Sequence, residues 1–288
     1  MLPAACVALL TAARFSQKHA PQLYVVIQDM TPDDAQGVRQ FCKKHRVKIS
    51  AINFPSTENC GRNSDPGNIT NACYLPIHLD QILPADLSRV IYLDCDIMVQ
   101  DDISELFEFD FGGLSLAAVI DGSTNKALAT FLSQIGLSKG NNYLNSGVLI
   151  YNWPEILKNK FLARARALAL EGRYFKFPDQ DIFNIIFAGA WLPLNKKYNA
   201  TILIMIGMWG RTVSHFAGVP KPWWTNYHYR FLKYRRQYQA LFVGTDWESF
   251  VQKNAVRDFI LTLAQPILWI ERILLIPAYF IWRHALPC

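Results

Sequence analysis

An α/β fold, with a sheet flanked by helices, is what this sequence predicts. Three observations carry that expectation. Strand-like and helix-like segments alternate through the first half of the chain. Hydrophobic residues make up 51% of the 288 and charged residues 18%, which suits a large buried core and excludes a disordered chain. The stretch RVIYLDCDIMVQDD, from Arg89 to Asp102, reads as an apolar strand that ends in acids.

The elements follow in order. MLPAACVALLTAARF lacks the basic n-region of a secretory signal, so it reads as a first helix with Pro3 in its first turn. LYVVIQD, Leu23–Asp29, is a β-rich run. TPDDAQGVRQFCKKHR opens with Thr31 before Pro32 and closes on basic residues that suit the helix dipole. VKISAIN is strand-like, and a Gly/Asn/Ser/Pro-rich loop runs from Asn59 to Asn71. ACYLPIHLDQIL is helix-like and leads into the acidic strand. Leu114–Asp121 and Tyr143–Asn152 are further strands, WPEILKNKFLARARALAL is a strong amphipathic helix, and Phe177–Gly189 passes from loop to helix.

Composition sets the broad class. The net charge of +6 does not by itself choose between nucleic acid, anionic lipid and phosphorylated substrates as partners. Six cysteines, Cys6, Cys42, Cys60, Cys73, Cys95 and Cys288, form no C-x-x-C pair, which excludes a zinc ribbon and a redox motif and favours reduced thiols in a cytosolic compartment. The acceptor-like tripeptides at Asn68 and Asn199 carry no meaning in that compartment. From residue 226 the character changes. YHYRFLKYRRQYQALF is basic and aromatic, and Asp258–Cys288 is almost continuously apolar. Its uncharged runs are about a dozen residues, short of the ~20 that span a bilayer. Trp269, Tyr279, Trp282 and the interspersed basic residues suit a lipid interface, against the plainer reading of a helical lid on the core. No nucleic-acid-binding motif accompanies the basic stretch, so nucleic acid is not expected as a partner.

Four motifs carry chemistry. In LDCD, Asp94 and Asp96 stand i, i+2 at a strand end and project from one face, where they could chelate a hard cation that also holds a diphosphate. Asp101 and Asp102 read as separate acids of the next turn or helix cap. In YLNSGVLIYN, Asn145, Ser146 and Gly147 interrupt a strand; the glycine permits a close approach and Asn145 could bond a sugar hydroxyl, although an ordinary bulge has the same sequence. In FPDQDIFN, Asp179, Gln180 and Asp181 open a helix, as caps or as a carboxylate and an amide for a sugar. In SHFAGVPKPWW, His215 could complete an oxygen-rich metal site and Lys221 could neutralise a phosphate, while a lone histidine is more often structural.

Taken in this order, the four motifs resemble glycosyltransferase family 8, retaining metal-dependent enzymes with a GT-A fold, and among them the bacterial lipopolysaccharide α-galactosyl- and α-glucosyltransferases. The resemblance runs from Leu2 to Trp223. It implies a Rossmann-like mixed sheet over 1–225 with a helical, membrane-facing extension over 226–288. It also implies transfer of glucose or galactose from a UDP-sugar, with retained α configuration, to a saccharide or lipid-linked acceptor at the cytoplasmic face of the inner membrane. Asp94, Asp96 and His215 would ligate Mn²⁺ (or Mg²⁺). Gly218 and Lys221 would touch the phosphates. Asn145, Ser146 and Gly147 would line the donor pocket, Gln180 and Asp179 would form the catalytic pair at the anomeric carbon, and Asp121 would face the acceptor or sugar. Retention by a front-face route needs no protein nucleophile. Two departures stand out. The family's opening strand, which ends in an Asp-x-Asn-Tyr-like stretch, has no counterpart ahead of Leu2, so a gap or unpaired edge in the sheet is expected. Pro76 stands where the family carries an arginine before the metal strand. They leave room for a second reading, a non-catalytic membrane-associated or sugar-nucleotide-binding relative.

Overall fold

The computed structural model describes residues 1–16, 18–55, 71–121, 133, 142–201, 211–218 and 220–264. Most of the loop after Asn59, Asn68, Cys60 and the apolar run that holds Trp269, Tyr279, Trp282 and Cys288 lie outside them.

Helix α1 (Leu2–Arg14) starts at Pro3 and buries Cys6, Val7, Leu10 and Ala12 along one side. Strand β1 (Leu23–Gln28) pairs in parallel with β2 (Ile49–Phe54). Between them, α2 (Pro32–His45) begins in a reciprocal cap: Thr31 accepts from the Asp34 backbone, and the Asp34 carboxylate accepts from the Thr31 backbone. The segment expected to be helical before the acidic strand is tighter than expected. Asn71–His78 is a 3₁₀ stretch with a buried Pro76, which lacks the N–H an α-helix needs, and only Leu79–Ile82 (α3) is α-helical.

Strands β3 (Arg89–Leu93) and β4 (Ile97–Val99) flank the acidic turn, and the short helix α4 (Ser104–Phe107) follows. As expected of a separate acid, Asp102 accepts from the backbone and hydroxyl of Ser104 at the start of α4. Strands β5 (Leu116–Ile120), β6 (Leu144–Asn152) and β7 (Trp191–Leu194) complete a four-stranded sheet of order β3-β6-β5-β7. It is mixed: β6 runs antiparallel to β3 and β5, and β5 runs parallel to β7. Strand β8 (Val213–His215) pairs antiparallel with β4.

The long helix expected after β6 is two helices, α5 (Trp153–Lys158) and α6 (Phe161–Leu170), because Lys160 takes a left-handed conformation at φ 52°. Helix α7 (Pro178–Ile186) packs against β6 and the 3₁₀ stretch.

The basic-aromatic segment assigned to an appended tail is in fact partly core. Helix α8 (Leu232–Phe242) buries Tyr234, Tyr238 and Phe242, which join Trp223, Tyr227 and Phe231 in one cluster with Val7 and Leu10 of α1, Val25 of β1 and Phe41 of α2. Full burial of each such side chain contributes about 1.5–3 kcal/mol, which explains why this stretch is rich in aromatics. Among the described residues no helix is long and apolar enough to cross a membrane.

Beneath this, α1 packs against strands of three sheets. Its Cys6, Val7 and Leu10 pack with β1, and its Ala8 and Ala12 pack with β4 and β5. Thr11 donates to Val7 O at 2.9 Å and accepts from Val99 N at 3.1 Å, so α1 also fixes the end of β4. Among the described residues no ladder joins β1 to β3; β1 pairs with β2 and β3 pairs with β6.

Candidate active site

The two acids do not sit on a strand. β3 ends at Leu93 and β4 starts at Ile97, so Asp94, Cys95 and Asp96 form the turn between them. Their convergence therefore comes from the turn and its anchors rather than from the alternation of a strand. Asp94 N donates to Gly147 O at 2.9 Å, and Phe216 N donates to Asp96 O at 2.9 Å. The Tyr92 hydroxyl, two residues back on β3, donates to Asp94 Oδ1 at 2.7 Å.

His215 reaches the same point from β8, whose register sets it opposite Ile97. Its Nε2 lies 3.5 Å from Asp94 Oδ2 and 3.3 Å from Asp96 Oδ1. One ligand atom from each of Asp94, Asp96 and His215 falls within 4.8 Å of the other two. Two carboxylates and an imidazole, convergent, with Asp96 and His215 buried and Asp94 half-buried, are a donor set that suits a divalent cation such as Mn²⁺ or Mg²⁺.

Gly147 is a glycine for a specific reason. A Cβ built on it would lie 2.3 Å from Cε1 and 2.6 Å from Nδ1 of His215. Here the Asn145-Ser146-Gly147 segment is a bulge and a functional element at once. Against β5 the register jumps from Ala118↔Leu149 to Val119↔Asn145, leaving Ser146, Gly147 and Val148 without partners on that side.

Beside Asp94, Asp96 and His215 lies a polar cluster. Asn145 Nδ2 donates to Asp121 Oδ2 at 3.1 Å, and Gln180 Nε2 donates to the same oxygen at 3.3 Å. Ser146 N donates to Gln180 Oε1 at 3.2 Å. Helix α7, which presents Gln180, is clamped to β6 from below: Asn184 bonds both Leu144 N and Leu144 O, at 2.7 and 2.9 Å. Asp181, fully buried, accepts from the Tyr143 hydroxyl and from Phe177 N, so it is a structural acid rather than a sugar ligand. Lys221 pairs with Asp96 and donates to Phe216 O at 2.8 Å. Gly218 is exposed at φ 77°, a conformation that favours glycine and leaves its backbone bare.

Burial and charge set the protonation of this cluster. Burial pushes Asp94 up to about 7; His215 opposes this, and Asp96 and Asp179 add to it. Burial would also raise Asp96, but His215 and Lys221 outweigh it and hold that carboxylate well below its ordinary range. His215 is lowered by burial, yet Asp96 and Asp94 together leave it raised. Burial likewise raises Asp179, against hydrogen bonds from Ser146 and the Gln180 backbone.

The structure thus brings together Asp94, Asp96, His215 and Lys221 on one side and Asn145, Ser146, Gly147, Asp121, Asp179 and Gln180 on the other. Gly218 adjoins them through its loop. Two residues escaped sequence reasoning. Tyr92 was findable, since i and i+2 on an extended chain share a face. Asn199, 1% exposed and bonded to both His215 and Asn145, gave no site signal, because its acceptor-like tripeptide carries no meaning for the site.

The family model described as glycosyl transferase family 8 matches residues 2–226. General stress protein A of Bacillus subtilis is 27% identical over 263 residues, covering 84% of this chain and 88% of that protein. The lipopolysaccharide 1,2-glucosyltransferase of Escherichia coli K12 is 25% identical over 263 residues, covering 85% and 76%. Among solved structures, the galactosyltransferase LgtC, in complex with donor and acceptor sugar analogues, superposes with a TM-score of 0.71 at 19% identity, covering 86% of this chain and 96% of that one. That likeness shows a shared GT-A-like α/β fold with a mixed sheet. With the motifs in place on that fold, the chain belongs to glycosyl transferase family 8 and is a glycosyltransferase.

Proposed function

We propose that this enzyme transfers glucose or galactose from a UDP-sugar to a saccharide or lipid-linked acceptor, with retention, in lipopolysaccharide or cell-surface glycan synthesis. One observation carries the reading. A three-ligand metal cluster directly adjoins an amide–carboxylate cluster: Asn199 links His215 to Asn145, and Asn145 meets Asp121. The names of relatives, lipopolysaccharide glucosyltransferases of Escherichia coli among them, support the substrate class.

Asp94, Asp96 and His215 would hold Mn²⁺ (or Mg²⁺), which when bound offsets the charge of the diphosphate leaving group. Lys221 adds a point charge beside Asp96, and the bare backbone at Gly218 lets a phosphate approach. On the sugar side, Asp121 accepts from both Asn145 and Gln180 and so orients both amides toward a common space. Gln180 and Asp179 stand at the start of α7, and Gln180 would lie near the reacting carbon. A front-face displacement, in which the acceptor hydroxyl attacks from the side the phosphate leaves, assigns no nucleophile to the protein.

We further propose attachment to the cytoplasmic face of the inner membrane. The helical stretch 255–264 supports this. Arg257 donates to Tyr227 O and Asp258 pairs with Arg235, which fixes one side of the stretch to the core. Val256, Phe259, Ile260 and Leu263 are exposed, and Lys233, Arg236 and Lys253 are exposed nearby in the fold. The second reading, sugar-nucleotide binding without turnover, draws on Pro76, which stands where the resemblance leads one to expect an arginine.

The test is donor turnover with UDP-glucose and UDP-galactose, with and without Mn²⁺, in wild type and Asp96→Ala. We expect Mn²⁺-dependent turnover that Asp96→Ala lowers at least about a hundredfold, equivalent to roughly 3 kcal/mol of lost electrostatic stabilisation. Binding of a UDP-sugar without turnover selects the second reading, and a well-folded protein that binds none rejects both.

A further inference from the structure

Asn199 ends the 3₁₀ turn Lys196–Asn199 and is 1% exposed. A bridge between Ala200 and Ser214 sets it beside His215. Its Oδ1 lies 2.8 Å from His215 Nδ1, and its Nδ2 donates to Asn145 Oδ1 at 2.6 Å.

The roles in this chain of hydrogen bonds are fixed from its far end. The Gly147 N–H can only donate, and it meets Asn145 Oδ1 at 3.0 Å. The Asp121 carboxylate accepts, and it meets Asn145 Nδ2 at 3.1 Å. Asn145 therefore turns its oxygen toward Asn199. That oxygen needs a donor, so Asn199 presents its NH₂ to Asn145 and its oxygen to His215. An oxygen there accepts, so His215 Nδ1 carries a hydrogen and Nε2 is the nitrogen that faces Asp94 and Asp96.

We propose that Asn199 is a positioning residue, which fixes the ring orientation and the Nδ1–H form of His215 and keeps that ligand in step with Asn145 on the sugar side. The inference rests on the reading of Asp94, Asp96 and His215 as a metal site. A histidine ligand generally depends on such a partner at its other nitrogen, which sets its orientation and tautomer. Asn199 differs from a plain backbone acceptor in that its second arm reaches the donor pocket, so one side chain serves both halves of the site.

Two variants separate its two arms. Asn199→Ala removes both, and Mn²⁺ affinity measured by calorimetry should fall about 10- to 100-fold. Asn199→Asp still accepts from Nδ1–H but has no donor for Asn145, so it should keep its Mn²⁺ affinity while the KM for the UDP-sugar rises. In the metal-free protein, ¹⁵N NMR of the His215 ring should show a hydrogen-bonded Nδ1–H in wild type and Asn199→Asp, and its loss in Asn199→Ala. An alanine variant with wild-type Mn²⁺ affinity and an unchanged ring signal overturns the proposal. So does an aspartate variant whose Mn²⁺ affinity falls about 10-fold or more, and this second variant decides alone if the alanine variant does not fold. If wild type itself binds no Mn²⁺, the metal-site reading fails, and the ring signal still decides the role of Asn199.

Discussion

The β1–β2 side of the molecule and the β3–β8 side are built on the same helix α1 but differ in how their polar groups are satisfied. On the β3–β8 side nearly every polar group at the site has a defined partner. Tyr92 holds Asp94, Gly147 O holds Asp94 N, Asn199 holds His215, and Asn145, Asp121 and Gln180 hold one another. On the other side, among the described residues, β1 and β2 pair only with each other. Four of the six residues of β1 are only half-buried, whereas β6 is buried at most positions. The difference teaches that the metal cluster does not depend on a continuous sheet. Its geometry comes from one turn, one bulge and the β4–β8 ladder, and α1 supplies through packing the cohesion that β1 and β3 do not supply through backbone pairing.

Hydrogen exchange offers the widest contrast. Amides of Leu149, Ile150 and Tyr151, laddered to β3 or β5, should exchange only through openings that approach the global stability, typically ~5–15 kcal/mol. The outward-facing amides of β1 should exchange orders of magnitude faster. Equal protection on both sides would mean that the two sheets are joined in solution.

A smaller effect is expected from Gly147→Ala. The added methyl has no room against His215, so either the ring or the bulge must move. We expect a loss of about 1–3 kcal/mol by denaturant titration, as for overpacking elsewhere, together with weakened Mn²⁺ binding. A variant that loses stability but binds Mn²⁺ normally would separate the bulge from the metal cluster.

The smallest effect is expected on the other side. Thr31→Ala removes the cap of α2 and should cost about 1 kcal/mol by denaturant titration. Mn²⁺ affinity should not change, because none of the three ligands touches α2. A coupled loss of Mn²⁺ affinity would show that the two regions are less separate than their hydrogen bonding indicates.

Much of this was legible in the chain itself. The order of strands and helices, the cap at Thr31 and the four motifs follow from periodicity and residue type, which act locally. The acids, His215 and Lys221 could be named because few other residue types hold a divalent cation or balance a phosphate. Other features were set by contacts distant in sequence. That Asp94 and Asp96 converge in a turn depends on Gly147 O and Phe216 N, which come from β6 and from beyond β8. The aromatics of α8 read as part of an appended tail because composition alone does not show what a helix packs on; the packing against α1 and α2 does. Asn199 is the clearest case. An asparagine before Ala-Thr carries no mark of function in one dimension, and its role exists only because a bridge between Ala200 and Ser214 sets it between His215 and Asn145. The sequence by itself determined which chemical groups the site has. The tertiary structure alone decided which way each hydrogen bond runs, because a side-chain amide gains its direction only from the neighbours on both of its ends.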